Sequence, residues 1–370
     1  MRLTSISRAA NLCLARDLPA AGPGGIPLLR AGTRLTDRLV SSVTARGIHA
    51  VWVQDELSEG IEPIELLSED VRAAAAAGVH RGLEVARTAF AEGRPLPHEV
   101  LDDLASIVDV IAASIADSPE AALAVSDQAA ADEYTHRHAV NVTAIGILLA
   151  RTMFRRDGWV DFRGRRRGDG IERRMTLLGV GLILHDVGKL AVPADIVNKP
   201  GPLDPGEWAI MRTHPEAGVA LLSSGTISPL IKSVVLDHHE RWDGDGYPRG
   251  LAGTRISQFA RIAAVADVYD AVTSERPYKR AAPAHVGSRI ITAGSGGAFD
   301  PEVAAAFARV VAPYPVGTEL TLPDGGLGVV CAVDPERPHV PRVRRPAPGG
   351  YTEVTIDMLT VAGAGAEPDV

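Results

Sequence analysis

Cysteine is nearly absent: Cys13 and Cys331 are the only two in 370 residues. That excludes a disulfide framework and a thiolate metal site, and it fits a reducing compartment. Aromatic residues make up only 4% of the chain. An arginine-rich stretch at 163–167 has no aromatics interleaved with it, so nucleic acid is not an expected partner. No apolar run approaches the ~20 residues needed to span a bilayer. The first residues lack a basic segment followed by a long apolar core. The expectation is a cytoplasmic protein without a membrane span. With 38 Lys and Arg against 46 Asp and Glu, the net charge of −8 gives no global field toward polyanions.

What is present is helix. The length suggests two or three domains. Residues 1–66 mix Pro and Gly clusters with a helical stretch at Leu35–Arg46 and a strand-like run at Ile48–Val53, a small α+β module. Residues 67–130 read as a helical arm: Ser68 caps a long Ala-rich helix, Pro95 and Pro97 break it, and a second helix runs from Val100 to Ile115. This arm makes a homodimer plausible. Residues 131–313 carry a succession of helices. One run, Leu177 to Leu184, is apolar throughout and closes on His185-Asp186-Val187-Gly188-Lys189. If helix continued through Lys189, that side chain would share a face with His185 and Asp186. Arg155 to Gly170 reads as an exposed basic loop, or as a flap attracting an anion. Asp204-Pro205-Gly206-Glu207 has the pattern of a capping box with Pro at N1. Residues 314–370 alternate and turn like a small β appendage with a frayed tail. The fold class is mainly α, with α+β before and β after.

Six of the eleven histidines fall between residues 136 and 239. His138, His185, Asp186, His214, His238, His239 and Asp267 all lie at predicted helix ends or on helix faces, where helical bundles build metal sites. Five imidazoles and two carboxylates exceed the needs of one tetrahedral ion. They suit two adjacent divalent metals sharing a carboxylate, Fe or Mn in preference to Zn. Two ions ~3.5–4 Å apart are a recurrent device for phosphate-ester hydrolysis: they acidify a shared water and neutralise phosphate oxygens. Lys189 is placed to meet the scissile phosphate or the leaving oxygen.

These residues, with Asn198-Lys199-Pro200-Gly201, His238 through the Gly246-Tyr247-Pro248 loop, Asp267-Val268-Tyr269-Asp270, and Arg276-Pro277-Tyr278-Lys279, resemble the HD-GYP family, a branch of the HD phosphohydrolases. The resemblance covers residues 131–311, about half the chain, and implies an HD-type helical bundle. It implies hydrolysis of cyclic di-GMP to pGpG and onward to GMP by a metal-bridging hydroxide. It also implies that His138, His185, Asp186 and Asp267 bind one metal, and Asp186, His214, His238 and His239 the other. Lys189 matches a phosphate-contacting lysine, Arg276 and Lys279 match residues that contact guanine or phosphate, and the Gly246-Tyr247-Pro248 loop lines the pocket. Some members place a Glu four residues before the first His to help hold a third metal. Tyr134 stands there in this chain, which favours two. Another cyclic dinucleotide or nucleotide phosphoester remains an alternative substrate, since the ligands act on phosphate and not on base. A slow receptor that signals to a protein partner is the alternative outside catalysis.

Overall fold

The computed structural model describes residues 12–18, 27–46, 48, 51–62, 65–116, 134–222, 227–274 and 281–358. The N-terminal module pairs β1 (Cys13–Leu14) antiparallel with β2 (Val53–Gln54), beside α1 (Asp37–Thr44). Its own small core holds Leu12, Leu14, Leu35, Val43 and Val51. The strand expected over 48–53 is shorter and lies later, and residues 49 and 50 lie outside the described set.

The main core is helical and runs through α2 (Glu69–Ala91), α3 (His98–Ala116), α4 (Tyr134–Asp157) and α5 (Ile171–Leu184). Ser68 caps α2 as expected, accepting from the Val71 amide. The two helices of the expected arm do not project. They pack on α4 and α5, with Leu104, Val108, Ile111 and Ile115 fully buried against them. The apolar stripe that suggested a dimer is therefore covered within the chain itself. α5 is the axis of this core: Leu178, Val180, Leu182, Ile183 and Leu184 are all buried. Each such side chain contributes about 1.5–3 kcal/mol, which anchors the ionisable pair that follows.

The remaining helices are α6 (Ala194–Val197), α7 (Pro205–Met211), α8 (His214–Leu221), α9 (Pro229–Asp237), α10 (Gln258–Thr273), α11 (Ala284–Ala293) and α12 (Pro301–Val310). α7 opens with the capping box read from its sequence: Asp204 accepts from Gly206 and Glu207 amides, and Glu207 accepts from the Asp204 amide. The basic segment after α4 is not an open loop. It folds into a hairpin of β3 (Trp159–Val160) and β4 (Arg166–Arg167), because Asp161 accepts from the Arg163 and Arg165 amides at its tip. Arg165, Arg166 and Arg167 are paired with Asp161, Glu302 and Asp169, which quenches the field expected of a flap.

The C-terminal appendage is a four-stranded antiparallel meander, β5 (Glu319–Thr321), β6 (Leu327–Asp334), β7 (Arg337–Ala347) and β8 (Gly350–Thr355). β7 was not visible in the sequence, since Pro338, Pro341 and Pro346 argue against a central strand. Pro338 and Pro341 fall where the β6–β7 register shifts, and Pro346 lies beside the β7–β8 turn. The sheet touches the N-terminal module, where the Arg344 guanidinium donates to the Glu59 carbonyl at 2.7 Å. Among the described residues no helix is long and apolar enough to cross a membrane.

Leu178 has no exposed surface. Leu178→Ala is expected to lower unfolding free energy by about 2–5 kcal/mol, the usual loss for a core leucine that leaves a cavity. Urea denaturation checks this. A loss under 1 kcal/mol would mean that α5 is not the packed axis.

Candidate metal centre

α5 ends at Leu184, and His185 is its C-cap. The chain then tightens into a 3-10 helix at Val187–Ala191. Gly188 explains the tightening: a Cβ there would lie 1.8 Å from the His214 carbonyl oxygen and 2.5 Å from the Gly218 nitrogen. Only glycine lets these two backbones meet, and their meeting brings His214 on α8 beside Asp186. The helix does not continue through Lys189, yet Lys189 still reaches the cluster. Its Nζ lies 2.5 Å from Asp186 Oδ2.

Three of the five imidazoles are oriented by an Nδ1 bond to a backbone carbonyl. His185 Nδ1 donates to Leu182 O at 2.6 Å, His214 Nδ1 to Met211 O at 2.8 Å, and His238 Nδ1 to Val235 O at 3.0 Å. A carbonyl can only accept, so Nδ1 holds the proton and Nε2 carries a lone pair in the neutral ring. His138 is held differently, by a 2.6 Å contact from Nδ1 to the fully buried Asp270 carboxylate. The Nε2 atoms converge on Asp186: His185 at 3.4 Å from Oδ2, His214 at 3.4 Å and His238 at 3.9 Å from Oδ1. Asp267 closes the other side, 3.2 Å from His138 Nε2 and 4.0 Å from His185 Nε2.

Two groups of ligand atoms result, each with its members within 4.8 Å of one another: Asp186, His214, His238 and His239, and His138, His185 and Asp186. Asp186 belongs to both. Asp267 lies against the second group through the contacts just given. All seven residues singled out in the sequence are brought together. A cation fits this donor set. His185 Nε2 is buried without any hydrogen-bond partner. His214 Nε2 and His238 Nε2 face each other at 3.3 Å with both protons on the far nitrogens. Two lone pairs so placed repel unless a positive ion lies between them and the carboxylate. Nitrogen and oxygen donors alone suit a borderline divalent metal.

The electrostatics agree. Burial lowers the pKa of His238 well below its ordinary value, helped by the neighbouring His239 and His185. Burial brings His239 down to about 4. Both are held neutral at pH 7. Asp186 and Asp267 are depressed despite burial, which alone would raise them. The Lys189 charge and the His185 imidazole outweigh it at Asp186, and the hydrogen bond to His138 and the nearby His185 imidazole at Asp267. His138 goes the other way. Burial opposes its charge, but hydrogen bonds to Asp267 and Asp270 win and its pKa rises to about 9.

The Gly246-Tyr247-Pro248 loop forms one wall. Tyr247 stacks on His239 with ring centroids 4.7 Å apart. Gly246 is required because a Cβ would come 2.3 Å from the Arg241 nitrogen. Glu240, buried at the loop's root, accepts from the Arg249 and Leu251 amides at 2.7 and 2.8 Å. Asp237 grips the Arg249 guanidinium with both oxygens. Sequence reasoning assigned no role to Glu240, Asp237 or Asp270. Asp270 was within reach of it, since it follows Asp267 by three on one helix. Arg276 and Lys279 lie outside the described residues, as does the side chain of Tyr134.

Asp270→Asn keeps the shape but removes the carboxylate that orients His138. Metal affinity is expected to fall about 10–100-fold, read by competition with a chelator, while α10 stays folded by circular dichroism. Unchanged affinity would remove Asp270 from the centre. The pKa shifts also predict stability of the chelator-treated protein. The raised His138 contributes fully below pH 6.5 and is lost as pH rises through about 9. The lowered His239 contributes fully above pH 6.5 and is lost as pH falls through about 4. Melting temperature is expected to peak near pH 6.5 without metal and to lose its alkaline decline with Mn(II). A steady rise through pH 9 without metal would contradict the His138 assignment.

Residues 172–303 match the family model described as HD domain. Over 239 residues, 64% of this chain and 54% of the relative, the chain is 42% identical to a cyclic di-GMP phosphodiesterase of Pseudomonas aeruginosa. Over 182 residues, 48% of this chain and 45% of the relative, it is 38% identical to a cyclic di-GMP phosphodiesterase of Thermotoga maritima. A 98-residue segment, 26% of this chain and 19% of the relative, is 50% identical to a 3'3'-cGAMP-specific phosphodiesterase of Vibrio cholerae. The chain thus spans about half the length of the first two curated relatives. His185, Asp186, His214, His238 and His239 all lie inside the span that matches the HD domain model.

Proposed function

We propose that this chain is a metal-dependent phosphodiesterase that opens cyclic di-GMP to pGpG, with GMP as the further product to assay. The observation that carries the reading is the sharing of Asp186 between two ligand groups. In this proposal His138, His185, Asp186 and Asp267 hold one divalent ion, and Asp186, His214, His238 and His239 the other. Fe or Mn is preferred and Zn less suited, by the all N and O donor set. Bound there, two such ions supply Lewis-acid neutralisation of a phosphate and a water acidified toward neutral pH.

The chain's own residues do the rest. Asp186 holds the two ligand groups in register. Lys189 is one-third exposed, with its Nζ on the open side of Asp186. A phosphodiester entering there exchanges one anionic partner of Lys189 for another, which keeps the cation where charge grows on the phosphoryl and leaving oxygens. The stacked Tyr247 fixes His239 and excludes water from one flank. Arg276 and Lys279, carried by the same stretch of sequence as Asp267, add cationic contacts to phosphate or guanine. The catalytic unit is residues 131–313, with α2 and α3 of the 67–130 segment packed on it and 1–66 and 314–370 as accessory pieces. Identity with relatives named for cyclic di-GMP supports this substrate, and the segment shared with a 3'3'-cGAMP enzyme makes that dinucleotide the second to assay.

The test is turnover by anaerobically purified protein loaded with Fe(II) or Mn(II), products being followed by chromatography. Linear pGpG and GMP are expected from cyclic di-GMP, and His185→Ala with Asp186→Ala is expected to abolish both turnover and bound metal. A double variant with full activity would sink the site assignment. Nucleotide bound without product would favour the receptor reading.

A further inference from the structure

Trp208 is 48% exposed, in a chain whose other buried or half-buried tryptophans find cover. Trp159, for instance, is buried and donates its indole N–H to the Asp169 carbonyl. Trp208 instead stands at the edge of Tyr247, with ring centroids 6.4 Å apart at 73°. Tyr247 in turn stacks on His239, whose ring lies 5.1 Å from that of His214. A continuous line of rings therefore runs from the metal centre out to solvent and ends on an open indole.

Arg212 accompanies it. Positions 208 and 212 are one turn apart along α7 and its C-cap, so both side chains leave on one face. The Arg212 guanidinium sits over the Tyr247 ring at 4.6 Å. It is exposed, and among the described residues it forms no ion pair. By contrast Lys199, near the same helix, is held by Glu207 at 2.5 Å. α7 is a firm base for this pair. Its N-terminus is fixed by the capping box, and the Met211 carbonyl at its end orients His214.

An exposed indole beside an unpaired guanidinium, both facing the mouth of a phosphate-directed centre, has the chemistry of a nucleotide seat. The indole offers a flat apolar face for a base, and the guanidinium offers a planar fork for phosphate oxygens or the O6 and N7 edge of guanine. We propose that Trp208 and Arg212 form the base-recognition arm of the substrate site, Trp208 stacking one purine and Arg212 taking the adjoining phosphate or guanine edge. This deepens the phosphodiesterase reading and rests on it for the identity of the dinucleotide. The arm explains how a centre that acts on phosphate alone could still choose among diesters.

Binding of three probes to the Mn(II)-loaded full chain tests it: cyclic di-GMP, GMP and inorganic phosphate, by calorimetry, with metal content measured in parallel. Trp208→Ala is expected to weaken GMP and cyclic di-GMP about five- to hundredfold, the range for losing one base–aromatic stack. Phosphate affinity should stay within about twofold of the parent, the difference an aromatic that touches only the base would make. Trp208→Phe should recover most of the nucleotide affinity. Arg212→Ala should weaken GMP, and Arg212→Lys should restore less than half of that loss, because an ammonium lacks the fork. Equal GMP affinity in parent and Trp208→Ala would overturn the arm, as would a parallel loss of phosphate affinity or of metal. If the parent binds GMP through Trp208 but neither binds nor cleaves a cyclic dinucleotide, the arm stands and the phosphodiesterase reading falls. If cyclic di-GMP is cleaved with the same KM by both proteins, the reading stands and the arm falls. A parent that binds no nucleotide overturns both.

Discussion

The candidate centre depends on where the imidazole protons of its histidines sit. A histidine binds a metal only through a lone pair, and in a neutral ring the two nitrogens divide proton and lone pair between them. Backbone carbonyls at Leu182, Met211 and Val235 claim the Nδ1 protons of His185, His214 and His238. In each case the carbonyl lies three residues before the histidine. It therefore comes from the last turn of a helix or from the bend that follows one, where carbonyls lack intrahelical partners. Placing a histidine just past a helix terminus satisfies that carbonyl and fixes the tautomer in one step. His138 is the exception, for it lies inside α4, where the carbonyls are already paired. It must find its acceptor elsewhere, and Asp270 on α10 supplies it.

This arrangement requires that helix ends converge, which the core enforces. α5 is buried along its final residues, and α9 packs against it, so the C-termini that bear His185 and His238 are held close. Gly188 then allows the chain to pass within bonding range of the α8 backbone, which brings His214 to Asp186. A larger side chain at that position would separate two backbones rather than two flexible side chains, and the ligand groups could no longer share one carboxylate.

Much of this was legible in the sequence, and the limits have physical causes. The candidate ligands were visible because six of the eleven histidines fall between residues 136 and 239, and a histidine at the end of an apolar helical run is costly in a core without a partner. Helix limits were legible where caps are strong, as at Ser68 and Asp204. β7 was hidden by its prolines, since the register shifts that accommodate them depend on β6 and cannot be read from β7 alone. The hairpin at 159–167 was hidden for a related reason: its order comes from contacts such as the Val160 amide to Gln258 Oε1 at 2.8 Å, almost a hundred residues away. Lys189 reached its expected place by an unexpected path, because a 3-10 turn brings residues i and i+3 together as well as an α-turn does.

The two ligand groups differ in what holds them. His185, Asp186, His214, His238 and His239 all lie within 55 consecutive residues of the span that matches the HD domain model, at the ends of α5 and α9, at the start of α8 and in the turns beside them. Completing the other group requires His138 from α4, outside the matched span. The start of α4 is tied to α2, where Arg137 meets Glu69 at 2.6 Å and His136 meets His80 at 3.0 Å, on either side of the same turn as His138. One group is thus internal to the matched span, while the other depends on how the N-terminal helices seat α4 against α5. A displacement of α2 would move His138 relative to Asp186 and leave His214, His238 and His239 in place, so the shared carboxylate is also where the packing of the two halves is registered.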